Sequence, residues 1–166
     1  MFNQIKPQEM KFNPFQSVGS DWMLVTAGSG ERMNTMTASW GGVGVLWNRN
    51  VVTCYIRPQR YTRELMDEAE YFSLSFLSEQ YRKQLAYLGT VSGRDEDKIA
   101  GSGLTVCRDY EAPCFAEADT VLICKKIYVD EIKPQNILYS SIRSDNYPNR
   151  DYHLMYIGEI VKALAK

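Results

Sequence analysis

Short polar side chains, an aromatic plane and two guanidinium groups fall close together between Gly28 and Thr62. Asn34, Thr35, Thr37 and Ser39 occupy alternate or neighbouring positions of a segment with strand character, so three hydroxyls and an amide can line a wall that hydrogen-bonds a polar ligand. Trp40 follows, beside Gly41, Gly42 and Gly44, where backbone without side chains lets a flat ring or another chain come close. The run Arg57, Pro58, Gln59, Arg60, Tyr61, Thr62 then delivers two fork-shaped cations to the end of a strand, an arrangement suited to an anion. With Thr62 capping a helix, Arg60 stands at a helix amino terminus, where negative charge is favoured.

Each piece has an ordinary alternative. Hydroxyls on a strand face are commonly solvated, and Trp and Gly runs also serve as turns and core filler. Their coincidence within one stretch points to a site. A second stretch, Gly89 to Lys98, adds Ser92, Gly93, Arg94 and Lys98. It reads either as another anion contact or as a solvated turn in which Asp95 caps a short helix to Ala100.

Composition narrows the function classes. The 166 residues fit one domain with a substantial core, and a formal net charge of -1 gives no basic field for nucleic acid. The amino terminus lacks the apolar core of a signal peptide and no segment has bilayer-spanning length, so a cytoplasmic protein without a membrane anchor is expected. Cys54, Cys107, Cys114 and Cys124 form no C-x-x-C pair and His153 is the single histidine, which argues against zinc and for reduced thiols. No G-x-G-x-x-G after a strand, P-loop or nucleophile elbow is present.

The elements that must position these residues read as strands joined by short helices. Trp22 to Ala27, Asn34 to Ser39 and Val51 to Ile56 have strand composition, while the glycines from 41 to 44 argue against regular strand there. Tyr71 to Leu77 alternates as a half-buried strand, and Ser78 opens a helix through Leu85 and Leu88 that Gly89 closes. Strands are expected at Leu104 to Val106, Val121 to Val129 and Tyr152 to Ile157, with 158–166 open between strand and helix. Residues 1–17 read as an irregular arm and 133–150 as a long excursion. The fold class that follows is mainly β, an antiparallel sheet closed into a small barrel with short flanking helices.

Three runs carry a family resemblance: Asn34-Thr35-Met36-Thr37-Ala38-Ser39-Trp40-Gly41-Gly42, Ile56-Arg57-Pro58-Gln59-Arg60-Tyr61-Thr62, and Gly89-Thr90-x-Ser92-Gly93-Arg94-Asp95-x-Asp97-Lys98. In order and spacing they resemble the flavin reductase-like, FMN-binding split-barrel proteins, in particular the flavoredoxin-type branch, from about Trp22 to Glu159. The resemblance implies a split barrel binding FMN without a covalent bond at a homodimer interface, with the ring exposed to NADH, NADPH or another small-molecule or protein electron donor. It places Thr37, Ala38, Ser39 and Trp40 at the ring and ribityl chain, with Asn34 also among the cofactor-binding residues. Arg57, Arg60 and Thr62, with Ser92, Gly93, Arg94 and Lys98, fall around the phosphate, and Pro58 and Tyr61 of the same run are counted among the cofactor-binding residues.

His153 to Glu159 resembles the family's H-x-x-Y-x-G-E strand. Many flavin reductases have an acidic residue immediately before that histidine, whereas this chain has Tyr152, with Asp151 one place earlier. His153 is therefore either a catalytic candidate or a strand residue hydrogen-bonded at a contact. The function implied is an NAD(P)H-linked flavin reductase-like oxidoreductase. The alternatives are a flavoredoxin-like electron carrier and a non-enzymatic barrel that holds FMN or another planar ligand.

Overall fold

The computed structural model describes all 166 residues. Ten strands alternate with four short helices, beginning with β1 (Asn3–Ile5), β2 (Met23–Ser29), β3 (Arg32–Ala38), β4 (Gly41–Leu46) and β5 (Arg49–Ile56). Then come α1 (Tyr61–Glu68), β6 (Tyr71–Phe76), α2 (Arg82–Thr90), α3 (Lys98–Ser102), β7 (Val106–Cys107), β8 (Cys114–Phe115), β9 (Thr120–Glu131), α4 (Ser140–Asn146) and β10 (Leu154–Ala165). Eight strands form one antiparallel sheet in the order β3-β2-β6-β9-β10-β5-β4, with β1 paired to β10 beyond the end of β5, and β7 and β8 form a separate ribbon.

The order explains the shape. β3 and β4 are consecutive in sequence, joined by Ser39 and Trp40 alone, yet they lie at the two ends of the sheet path. A sheet curled far enough for two residues to connect its edges is a barrel left open at one seam, which is the expected split barrel. That seam is where Trp40 sits.

Two apolar cores flank the sheet. Phe72, Leu74 and Phe76 of β6 point into the barrel with Met23, Val25, Met36, Ile56, Leu65 and Tyr156. On the other face Leu24, Val121 and Ile123 pack against Leu85 and Leu88 of α2 and against Phe115. Alternation along β6 does not produce a solvated face, because Ser73 and Ser75 are also buried and Ser73 Oγ donates to Pro113 O at 2.6 Å. The small hydroxyls there let the β7–β8 ribbon approach the sheet.

Several expectations are corrected. Gly41–Leu46 is regular strand, since Gly41 pairs with Cys54 where a Cβ would lie 2.6 Å from Thr53 O, so the glycine permits the pairing. The hairpin turns on Trp47 and Asn48, both at positive φ, one place ahead of the polar run Asn48-Arg49-Asn50 that reads in the sequence as a turn. The amino-terminal arm contributes a strand, and 158–166 continues β10 with irregular pairing to β9 on either side of Gly158 and Ile160. The strand at Leu104 to Val106 shrinks to β7, whose partner β8 falls inside what reads as a connection. Arg60 rather than Thr62 is the first cap of α1, Asp97 rather than Asp95 caps α3, and Gly89 lies within α2. The excursion from 133 to 150 does carry local structure, a 3₁₀ turn at Pro134–Asn136 and α4.

Candidate functional site

The seam opens into two adjoining hollows of about 170 and 180 Å³ that share Met36, Arg57 and Arg60. The first is walled by Thr37, Ala38, Ser39 and Trp40 from the end of β3 and its connection, with Tyr55 and His153 opposite. Asn34, Tyr61, Thr62, Ser92, Gly93 and Lys98 surround the second. Residues far apart in sequence thus converge because the end of β3, the β5–α1 junction and the loop after α2 meet at one mouth. Of the expected site residues, Pro58 and Arg94 line neither hollow.

Local packing fixes the second hollow. Asn34 Nδ2 donates to Thr62 Oγ1 at 2.9 Å, tying β3 to the first turn of α1. Gly93 rests directly on that amide: an added Cβ would overlap Asn34 Oδ1 and lie 3.1 Å from the Tyr61 ring. Only glycine brings the loop backbone this close. In the first hollow the hydroxyl wall is narrower than the sequence suggests. Thr37 Oγ1 donates to Leu85 O at 2.5 Å, and Thr35 turns to the other side, where it meets Thr26 at 2.9 Å in the core.

The four cations divide into two pairs. Arg57 Nη1 lies 2.7 Å from Asp151 Oδ2, its Nη2 donates to Asn146 O at 3.0 Å, and the guanidinium stands 5.4 Å from the centre of the Tyr147 ring. Gln59 Nε2 donates to the same carboxylate at 2.9 Å. Gln59 and Arg57 together hold the Asp151 carboxyl below the usual carboxylate range. Arg57 therefore fastens the 133–150 excursion to the end of β5. Arg94 turns outward to an ion pair with Glu64 and donates to Gln59 O at 3.0 Å.

Arg60 and Lys98 have no carboxylate partner. Arg60 Nη1 donates to Gly89 O at 2.9 Å, and Lys98, only 3% exposed, donates from Nζ to Leu88 O at 2.8 Å and Val91 O at 3.0 Å. The carbonyl end of α2 thus supports the buried ammonium. Burial, and then repulsion from Arg60, push the Lys98 pKa down to about 8. Two cations facing one hollow with no counter-charge are an arrangement chemically suited to an anion.

Trp40 and His153 face each other with ring centroids 5.0 Å apart. His153 is 7% exposed, and Tyr147 Oη sits 3.0 Å from its Nδ1. Burial, reinforced by Arg57 and opposed by Asp151, lowers the His153 pKa to about 4, so the ring is neutral at pH 7. Sequence reasoning does not find Tyr147, Tyr55 or Met36. Tyr55 carried the signal of alternation along β5, and Tyr147, in an irregular segment, carried none.

Residues 15–165 match the model of the flavin reductase-like domain. This chain belongs to the flavin reductase-like family. Among solved structures, flavoredoxin of Desulfovibrio vulgaris (Miyazaki F) is 26% identical, covering 87% of this chain and 69% of that one at a TM-score of 0.67. Flavoredoxin from Methanosarcina acetivorans is 24% identical over 95% and 75%, with a TM-score of 0.69. An FMN-binding domain of flavin reductase-like enzyme from Shewanella baltica is 16% identical over 99% and 77%, also at 0.69. No sequence among the curated proteins matches the chain. Family membership and the split barrel are thus established, and no helix is long and apolar enough to cross a membrane.

Proposed function

We propose that the protein is an FMN-binding flavoprotein acting as an NAD(P)H-linked flavin reductase-like oxidoreductase. The observation that carries the proposal is the uncompensated Arg60 and Lys98 pair, set one hollow away from the Trp40 and His153 rings. A phosphate monoester bears nearly two negative charges at neutral pH and relieves their repulsion. The donor set fits the group: two cations, the Thr62 and Ser92 hydroxyls, and loop backbone held close at Gly93. FMN, when bound, would supply the redox chemistry. The chain's own tasks are to bind, orient and screen. Trp40 offers an exposed aromatic surface, and buried, neutral His153 beside it adds no charge there. Arg60 and Lys98 hold the phosphate end, and Arg57 keeps the excursion against the mouth.

A flavoredoxin-like carrier fed by a protein donor is the second reading. It is favoured by Tyr152 standing where an acidic residue would directly precede His153, and by the engagement of Asp151 Oδ2 with Arg57 and Gln59. The homodimer belongs to the same proposal: the seam is open, and Val45, Trp47, Tyr128 and Val129 form an exposed apolar face on the strands behind it. Titration of FMN against riboflavin tests the phosphate site, and a colourless protein with no thermal shift at saturating FMN rejects the whole proposal. Stopped-flow reduction by NADH and NADPH, compared with a reduced ferredoxin, decides between reductase and carrier. Light scattering of the FMN-loaded protein tests the dimer.

A further inference from the structure

The β7–β8 ribbon places Cys107 directly opposite Cys114. Residues directly opposite in an antiparallel pair have Cα atoms about 4.5 to 5.5 Å apart, within the span of about 4.4 to 6.8 Å that a disulfide bridges. We propose that Cys107 and Cys114 form a reversible thiol–disulfide site, oxidised by hydrogen peroxide and reduced by small dithiols. The site is independent of flavin binding.

The two thiols differ in the way such a site needs. Cys107 is partly exposed, so an oxidant reaches it before Cys114, and its Sγ donates to Asp109 Oδ2 at 3.4 Å. Cys114 is buried, and burial followed by the neighbouring Cys107 raises its pKa to about 12. It is protected from direct attack and acts as the resolving thiol. The remaining cysteines do not compete: Cys54 and Cys124 are fully buried on β5 and β9, separated by β10.

The step balances. The Cys107 sulfur attacks one peroxide oxygen, the O–O bond breaks, and a sulfenic acid and one water form. The Cys114 sulfur then attacks the sulfenic sulfur, the S–S bond forms and the hydroxyl leaves as a second water. The two sulfurs lose two electrons to the peroxide, and both thiol protons end in water. A dithiol reverses the bond by exchange through a mixed disulfide.

Trypsin makes the test direct, because Arg108 lies between the two cysteines and cleavage separates residues 99–108 from 109–125. The FMN-loaded full chain is treated with a small excess of hydrogen peroxide, alkylated, digested without reductant and mapped by mass spectrometry. The expected result is the two peptides joined through Cys107 and Cys114, two hydrogens lighter than their sum, separated by dithiothreitol and absent from Cys107→Ser. The Cys124→Ala variant must give the same link, since Cys124 shares the second peptide. A link through Cys124, Cys107 carried to sulfinic acid with Cys114 still a free thiol, or four unmodified thiols would each overturn the proposal. Formation of the link should also raise the melting temperature of the folded protein, reversibly with dithiothreitol.

Discussion

Lys98 allows the anion site to be tested through a proton as well as through affinity. Its ammonium is 3% exposed, donates to two carbonyls at 2.8 and 3.0 Å, and faces Arg60 without a counter-charge. Its folded pKa of about 8 lies below the unfolded value, so between about 8 and 10.5 the unfolded chain binds the extra proton. Stability of the free protein therefore rises with pH through that window. Below it the full cost of the buried charge applies, about 3 kcal/mol from the roughly 2.5-unit depression. A phosphate beside Lys98 offsets this by favouring the charged form. FMN affinity should accordingly hold steady between about pH 7 and pH 8, where the phosphate is doubly charged, and weaken above it, because each binding event must then take up a proton. Riboflavin, lacking the phosphate, should show no such fall. Lys98→Met keeps the apolar stem and removes the charge. Loss of one charge-assisted hydrogen bond costs about 1.5 to 3 kcal/mol, or about tenfold to a hundredfold in the FMN dissociation constant, with riboflavin unchanged. Fluorescence titration of both flavins across pH in both proteins reads all of this. Parallel pH profiles for FMN and riboflavin in the wild type, or an unchanged FMN affinity in Lys98→Met, would refute the assignment.

Arg94→Ala should leave FMN affinity within about threefold of wild type and cost at most about 1 kcal/mol, because Arg94 pairs with Glu64 at the surface; isothermal calorimetry and a urea melt check both. Gly93→Ala should destabilise by about 1 to 3 kcal/mol and weaken FMN, since its Cβ overlaps Asn34 Oδ1; a normal melting temperature would contradict the packing. His153, with a folded pKa of about 4 and an unfolded value near 6.5, supports stability fully above pH 6.5, and that support falls away as pH drops toward 4. Urea melts of His153→Asn should show a flatter acid limb than wild type across that range.

Much of the site was legible because its residues sit in short contiguous runs. Thr37 to Trp40 and Arg57 to Thr62 each stay together on one turn of backbone, so local sequence predicts their company correctly. What local sequence cannot reveal is which way a long cation turns. Arg57 and Arg94 look alike in sequence to Arg60 and Lys98, but Asp151 and Glu64, 94 and 30 residues away, claim them. The same reasoning explains the strand missed at Gly41. Glycine is a poor strand residue alone, and here Thr53 O leaves room for nothing else. Tyr147 reaches His153 only because Arg57 pulls the excursion back to β5, a contact that no periodicity encodes.

The topology also says why ligand binding and barrel stability should be linked. Every other strand of the main path has a hydrogen-bonded neighbour on each side, whereas β3 and β4 each have one. The only covalent tie across their gap is Ser39–Trp40, and the groups facing it include two like charges that repel. An anionic, planar ligand placed there supplies the missing counter-charge at one hollow and apolar contact at the other, touching β3, the β5–α1 junction and the loop after α2 together. Free FMN at about 100 times its dissociation constant should then stabilise the fold by about 2.7 kcal/mol. Hydrogen exchange locates the effect: protection should appear first at 34–40, 57–62 and 89–93, the segments around the seam. Uniform protection across the sheet, with nothing added at the seam, would show that the ligand binds elsewhere.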